Sequence, residues 1–147
     1  MYDDEEEVPD EPYSIPFGEA NLTREGDDVT IVAFGRMVNF ANEAADRLEK
    51  DGISCTVVDP RTTSPLDTAT ILECVEDTGR LVIVDESSPR CNMATDVAAL
   101  VAEEAFDVLK APIRRVGPPH PPVPLATASE NFSPPDAACI VPAVRSA

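Results

Sequence analysis

The feature that most constrains this chain is a repeat: short β-branched runs alternate with segments of helical periodicity, and two of those segments close on glycine. The runs VTIVAF (29–34), ISCTVVD (53–59) and LVIVD (81–85) are each short enough to be buried strands. Between the first two, Val38, Ala41, Ala45 and Leu48 fall on one helical face, and Asp51-Gly52 ends the segment with glycine at the usual C′ position. Asp67 is placed to N-cap a second helix carrying Ile71, Leu72 and Val75, which Gly79 stops. Asn92 is placed to cap a third, whose stripe is Val97, Leu100, Val101, Ala105 and Leu109; Pro112 is expected to break it, and 113–116 is a last strand. Strands alternating with helices are joined by crossovers, which predicts a mainly parallel, doubly wound sheet.

The flanks read differently. Residues 20–24 suit an edge strand, and the turn EGDD (25–28) is expected to fold it back on 29–34 as an antiparallel pair. Residues 1–12 hold seven acids and two prolines with almost nothing to bury, so 1–18 is read as an acidic leader and 19–147 as the domain. After Val116 comes GPPHPPVPLATASENFSPPD, whose prolines lack donors and fix φ, giving an extended surface loop. Residues 136–145 make a final short helix that Pro142 is expected to kink or truncate.

Composition agrees with one α/β domain of 147 residues: 43% of residues are apolar but only 5% aromatic, so the core is built from Val, Ile, Leu and Ala. A net charge of −17 with only 11 Lys and Arg argues against nucleic acid and anionic membrane surfaces as partners. No run approaches a membrane span, and MYDDEEE lacks the basic start and apolar middle of a signal peptide, so a cytoplasmic location is expected. Cys55, Cys74, Cys91 and Cys139 are widely spaced without C-x-x-C, which favours free thiols over metal ligands or disulfides.

Ligands of open α/β sheets bind beyond the carboxyl ends of the strands, here Gly35-Arg36, Asp59-Pro60-Arg61-Thr62, Asp85-Glu86 and Gly117. A dinucleotide site needs several glycines after the first strand, and FGRMVN has one. A phospho-acceptor receiver needs an acid pair there and a lysine after the last strand; Phe34-Gly35 and Val116-Gly117 supply neither. Asp85 and Glu86 have the chemistry to ligate a hard cation, but a solvated turn or a cap partner for the next helix is the plainer reading. His120, the one imidazole, has no G-x-S-x-G nucleophile to serve and reads as a surface or interface residue. Cys91 follows Arg90, whose charge would lower the thiol pKa if it were exposed, although a buried thiol is the default. Thr62, Thr63, Ser64 and Pro65 form a polar turn suited to bonding its own backbone or a neighbouring chain. The residues therefore predict a fold without catalytic, cofactor-binding or metal-binding positions of its own.

Four stretches, YSIPFGEANLTREGDDVTIVAFG, DGISCTVVDPRTTSPLD, TGRLVIVDESSPRC and APIRRVGPPHPPVP, together resemble the C-terminal, transketolase-type domain of the beta subunit of thiamine-dependent 2-oxo acid dehydrogenases. The likeness runs in matching order through nearly the whole chain, and its opening is most like the pyruvate and acetoin members, with the 2-oxoisovalerate type a further relative. It implies a three-layer α/β/α Rossmann-like fold with a five-stranded, mostly parallel sheet whose first strand is antiparallel. It also implies an oxidoreductase of two alpha and two beta chains that uses thiamine diphosphate and Mg, held outside this fragment, to decarboxylate a 2-oxo acid or cleave acetoin and pass the acyl group to lipoyl. Within such an enzyme the fragment is expected to contribute no catalysis alone. Its role would be subunit assembly with the alpha chain and the second beta chain, and docking of the subunit-binding domain of the lipoyl acyltransferase core, with Asp59, Arg61, Asp85, Cys91 and His120 as candidate interface residues. Relatives often read D-H-x-x-C-G where this chain has Ser87 to Asn92, carry Asp where it has His120, and have a helix former where it has Pro142. The competing expectation is a freestanding acidic α/β module that binds a protein or small ligand.

Overall fold

A computed structural model describes residues 10–118 and 135–147. Five strands form one sheet in the order β1-β3-β2-β4-β5: β1 (Asn21–Arg24), β2 (Val29–Ala33), β3 (Cys55–Asp59), β4 (Leu81–Val84) and β5 (Arg114–Val116). β2 pairs in parallel with β3 and β4, β4 with β5, and only β1 runs antiparallel, against β3. Helices α1 (Met37–Glu49), α2 (Thr68–Thr78), α3 (Met93–Glu104) and α4 (Ala137–Arg145) cover the sheet.

Alternation along the strands explains the two faces. Val29, Ile31 and Ala33 of β2, Val57 of β3 and Val82 and Val84 of β4 pack under α1 and α4. Their neighbours Val32, Val58, Leu81 and Ile83 pack under α2 and α3. Two apolar layers on one sheet make the three-layer α/β/α architecture. Thr30, fully buried at the centre, is a polar exception, and its hydroxyl donates to Cys74 O at 2.7 Å and meets Thr78 Oγ1 at 2.9 Å.

Local signals set several helix ends where the sequence placed them. Asp67 and Asn92 accept from the N–H groups of Thr70 and Thr95 at 3.1 and 3.0 Å. At the end of α1, the N–H of Ile53 reaches Leu48 O and that of Gly52 reaches Glu49 O, both at 3.0 Å, with Gly52 at φ 79°. This is the paired bond of a Schellman cap with glycine at C′.

Three expectations differ. β1 does not fold back on β2, because β3 lies between them. β2 is buried at every residue and takes a parallel neighbour on each side, whereas the half-exposed β1 suits the edge. Residues 25–28 accordingly cross the start of β3, where Gly26 N donates to Thr56 Oγ1 at 2.9 Å and Asp27 N to Ser54 Oγ at 2.8 Å. Next, α3 stops at Glu104, well before Pro112; Ala105 leaves helical geometry and residues Phe106–Val108 form a 3-10 turn. Last, Pro142 does not truncate α4, which runs on to Arg145 from an Asp136 cap. The proline-rich loop falls mostly outside the described residues.

Candidate functional site

The loops at the carboxyl ends of the strands build two small clefts. Between β3 and α2, Asp59 Oδ1 accepts from Arg61 N at 3.0 Å, turning the chain so tightly that Arg61 takes φ 58°. Thr62 Oγ1 donates to Pro65 O at 2.8 Å and closes the turn around the cis Ser64-Pro65 peptide. With Phe34 and Gly35 of the β2 loop, this turn lines a cleft of about 340 Å³. Asp59 and Arg61 are thus brought together in one cleft.

Between β4 and α3, Asp85 is buried at 6% exposure rather than solvated. Its Oδ1 accepts from Ser87 N and Oγ at 2.9 and 2.7 Å, and its Oδ2 from Ala94 N at 3.3 Å. Burying a carboxylate is costly unless donors surround it, and here the turn and the start of α3 supply them. The cap-partner reading of Asp85 is the one the geometry bears out. Cys91 in the same loop is exposed, at φ 54°, not buried; the turn points it outward before Asn92 starts the helix. A second cleft of about 240 Å³ lies beside it, lined in part by Pro89, Asn92, Arg115 and Gly117. Arg115 donates to Thr95 Oγ1 at 2.8 Å. His120 lies outside the described residues.

Cys55 and Cys74 are buried, Cys139 is exposed, and all four thiols are free. Burial pushes the Cys55 thiol up to about 11 and also raises Cys74. Among the described residues no group of three or more His, Cys, Asp or Glu side chains is placed to hold a metal ion, and no helix is long and apolar enough to cross a membrane. A larger hollow of about 610 Å³ opens beside the 3-10 turn, where Phe106 is 69% exposed next to Leu109 and Ile113.

Sequence reasoning missed what Thr62 and Asp67 do at long range. Gly18 N donates to Thr62 Oγ1 at 3.0 Å and Ala20 N to Asp67 Oδ2 at 2.8 Å. Partial burial works against the Asp67 charge, but the donors of Ala20 and Thr70 outweigh it and hold the carboxyl below its usual range. The motif T-x-x-P-x-D shows the local turn and cap; nothing in it signals a partner more than 40 residues away.

The family described as "Transketolase, C-terminal domain" matches residues 18–140. The chain belongs to that family. The subunit beta of acetoin:2,6-dichlorophenolindophenol oxidoreductase from Cupriavidus necator is 57% identical over 145 residues, covering 99% of this chain and 43% of that protein. The pyruvate dehydrogenase E1 component subunit beta of Bacillus subtilis is 44% identical over 129 residues, 88% of this chain and 40% of that protein. A solved structure described as "Split gene transketolase, inactive beta4 tetramer" superposes with a TM-score of 0.78 at 31% identity, covering 90% of this chain and 43% of its own. This transketolase C-terminal domain therefore spans less than half the length of these relatives.

Proposed function

We propose that this domain is the assembly half of a dehydrogenase beta subunit of the acetoin or pyruvate type, with residues 1–18 as its leader and 19–147 as the folded unit. The observation that carries the reading is 57% identity to an acetoin oxidoreductase beta subunit along essentially the whole chain. In the complete enzyme, thiamine diphosphate with Mg would supply the carbanion chemistry on a 2-oxo acid or acetoin. Cofactor and chemistry are proposed to lie in the rest of the enzyme.

What the domain offers instead is surface. The strand-end loops of Asp59, Arg61 and Cys91, and the Phe106 hollow, are open to a neighbouring chain. An exposed phenylalanine beside apolar neighbours is the kind of patch that subunit contacts cover. Asp85 would act from within, by holding the turn that presents Cys91. The alpha chain and a second beta chain are the proposed partners, and His120 a further contact. Charge of −17 suits a basic subunit-binding domain of a lipoyl acyltransferase core as a third. The setting proposed is cytoplasmic.

A chimera tests the reading: the first half of the Cupriavidus necator beta subunit joined to this chain and co-expressed with its alpha subunit. The expected result is an assembled enzyme that reduces 2,6-dichlorophenolindophenol with acetoin. A chimera that folds but neither binds alpha nor turns over, beside an active parent, contradicts it.

A further inference from the structure

We infer that Thr62 and Asp67 form a clamp that fixes the direction in which the leader meets the sheet, so that Asp67 holds the incoming chain as well as capping α2. Gly18, in a turn at φ 78°, and Ala20 are two residues apart on the approach to β1. Both find side-chain acceptors on one loop, Thr62 Oγ1 at 3.0 Å and Asp67 Oδ2 at 2.8 Å. The backbone ladder of β1 begins only at Asn21, opposite Asp59. The clamp thus takes up the N–H groups just ahead of the ladder, with side chains supplying the acceptors.

Both residue types suit the double duty. The two oxygens of Asp67 divide the work: Oδ1 accepts from Thr70 N at 3.1 Å, which is the cap, while Oδ2 takes Ala20 N and the Thr70 hydroxyl, at 2.8 Å each. Only a side chain with two acceptors does both. Thr62 spends its proton on Pro65 O at 2.8 Å, which leaves a lone pair for Gly18. Residues 10–17 are all exposed, and the clamped Gly18 is the first that is partly buried. In the complete subunit of the preceding section, on which this use rests, the clamp sets the angle between the domain and the polypeptide ahead of it.

Amide hydrogen exchange of this chain, read residue by residue by NMR, tests the clamp whether or not the full-length reading holds. Thr62→Val should speed exchange at Gly18 on the order of tenfold and leave α2 unchanged. Asp67→Ser should speed Ala20 by a similar factor while Thr70 stays protected, because serine still caps the helix yet is too short to reach Ala20 as well. The inference is overturned if Gly18 and Ala20 exchange as in the parent in both variants. It is equally overturned if Asp67→Ser exposes Thr70 as much as Ala20 while Thr62→Val leaves Gly18 protected, which would make Asp67 a cap alone. Should Asp67→Ser not fold, Thr62→Val decides the matter by itself.

Discussion

Replacing Gly26 with alanine puts a methyl group into backbone. Its Cβ would stand 2.5 Å from Cys55 N and 2.7 Å from the carbonyl carbons of Cys55 and Ser54, atoms that cannot swing aside. Relief requires the 25–28 crossing to lift off the start of β3. Overpacking of this kind costs about 1–3 kcal/mol. Lifting also breaks the reciprocal pair in which Gly26 N donates to Thr56 Oγ1 and the Thr56 hydroxyl donates back to Gly26 O, at about 1 kcal/mol for each bond. Reduced freedom of the unfolded chain returns about 0.4–1 kcal/mol. The net loss is about 2–5 kcal/mol, or a fall in Tm of roughly 5–20 °C for a chain of this size. Thermal unfolding followed by circular dichroism reads it directly. Gly52→Ala is the control: φ is 79° but nothing lies within 4 Å, so only the left-handed conformation is penalised, by about 1 kcal/mol. A Gly26→Ala protein that melts within about 2 °C of the parent, or no lower than Gly52→Ala, refutes the close crossing.

Iodoacetamide at pH 8 should label exposed Cys91 and Cys139 in the folded protein, and Cys55 and Cys74 only after denaturation, as read by intact mass. Because the folded Cys55 thiol sits at about 11 against an ordinary 9.0, its contribution to stability is complete below pH 9 and is lost as pH rises toward 11. Urea midpoints should therefore fall over that window, less steeply in Cys55→Ala. Asn92→Ala removes the acceptor for Thr95 N and its hydroxyl and should cost about 1 kcal/mol in urea unfolding with an unchanged slope.

What could be read from residues was whatever depends on near neighbours. The caps at Asp67, Asn92 and Gly52 are local contests between a side chain or a left-handed residue and the helix end, so sequence shows them. Partner choice is different. EGDD suits a hairpin as well as a crossing, and only the burial of all five β2 residues decides that β3 takes the place beside it. Likewise Pro112 is an adequate helix stop, yet α3 ends earlier, where buried Ala105 leaves helical geometry. At the strand ends, an acid after an apolar run looks solvated. Asp85 is buried because Ser87 and Ala94 come back to it, which a one-dimensional pattern does not display.

The intact mass of the endogenous polypeptide, captured with an antibody to this domain and measured together with whatever co-purifies, tests the central claim most directly. The account predicts a chain more than twice this length, in keeping with the 43% of its relative that this sequence covers, accompanied by an alpha subunit. A chain of 147 residues purifying without such a partner would contradict the account and leave a freestanding acidic α/β module.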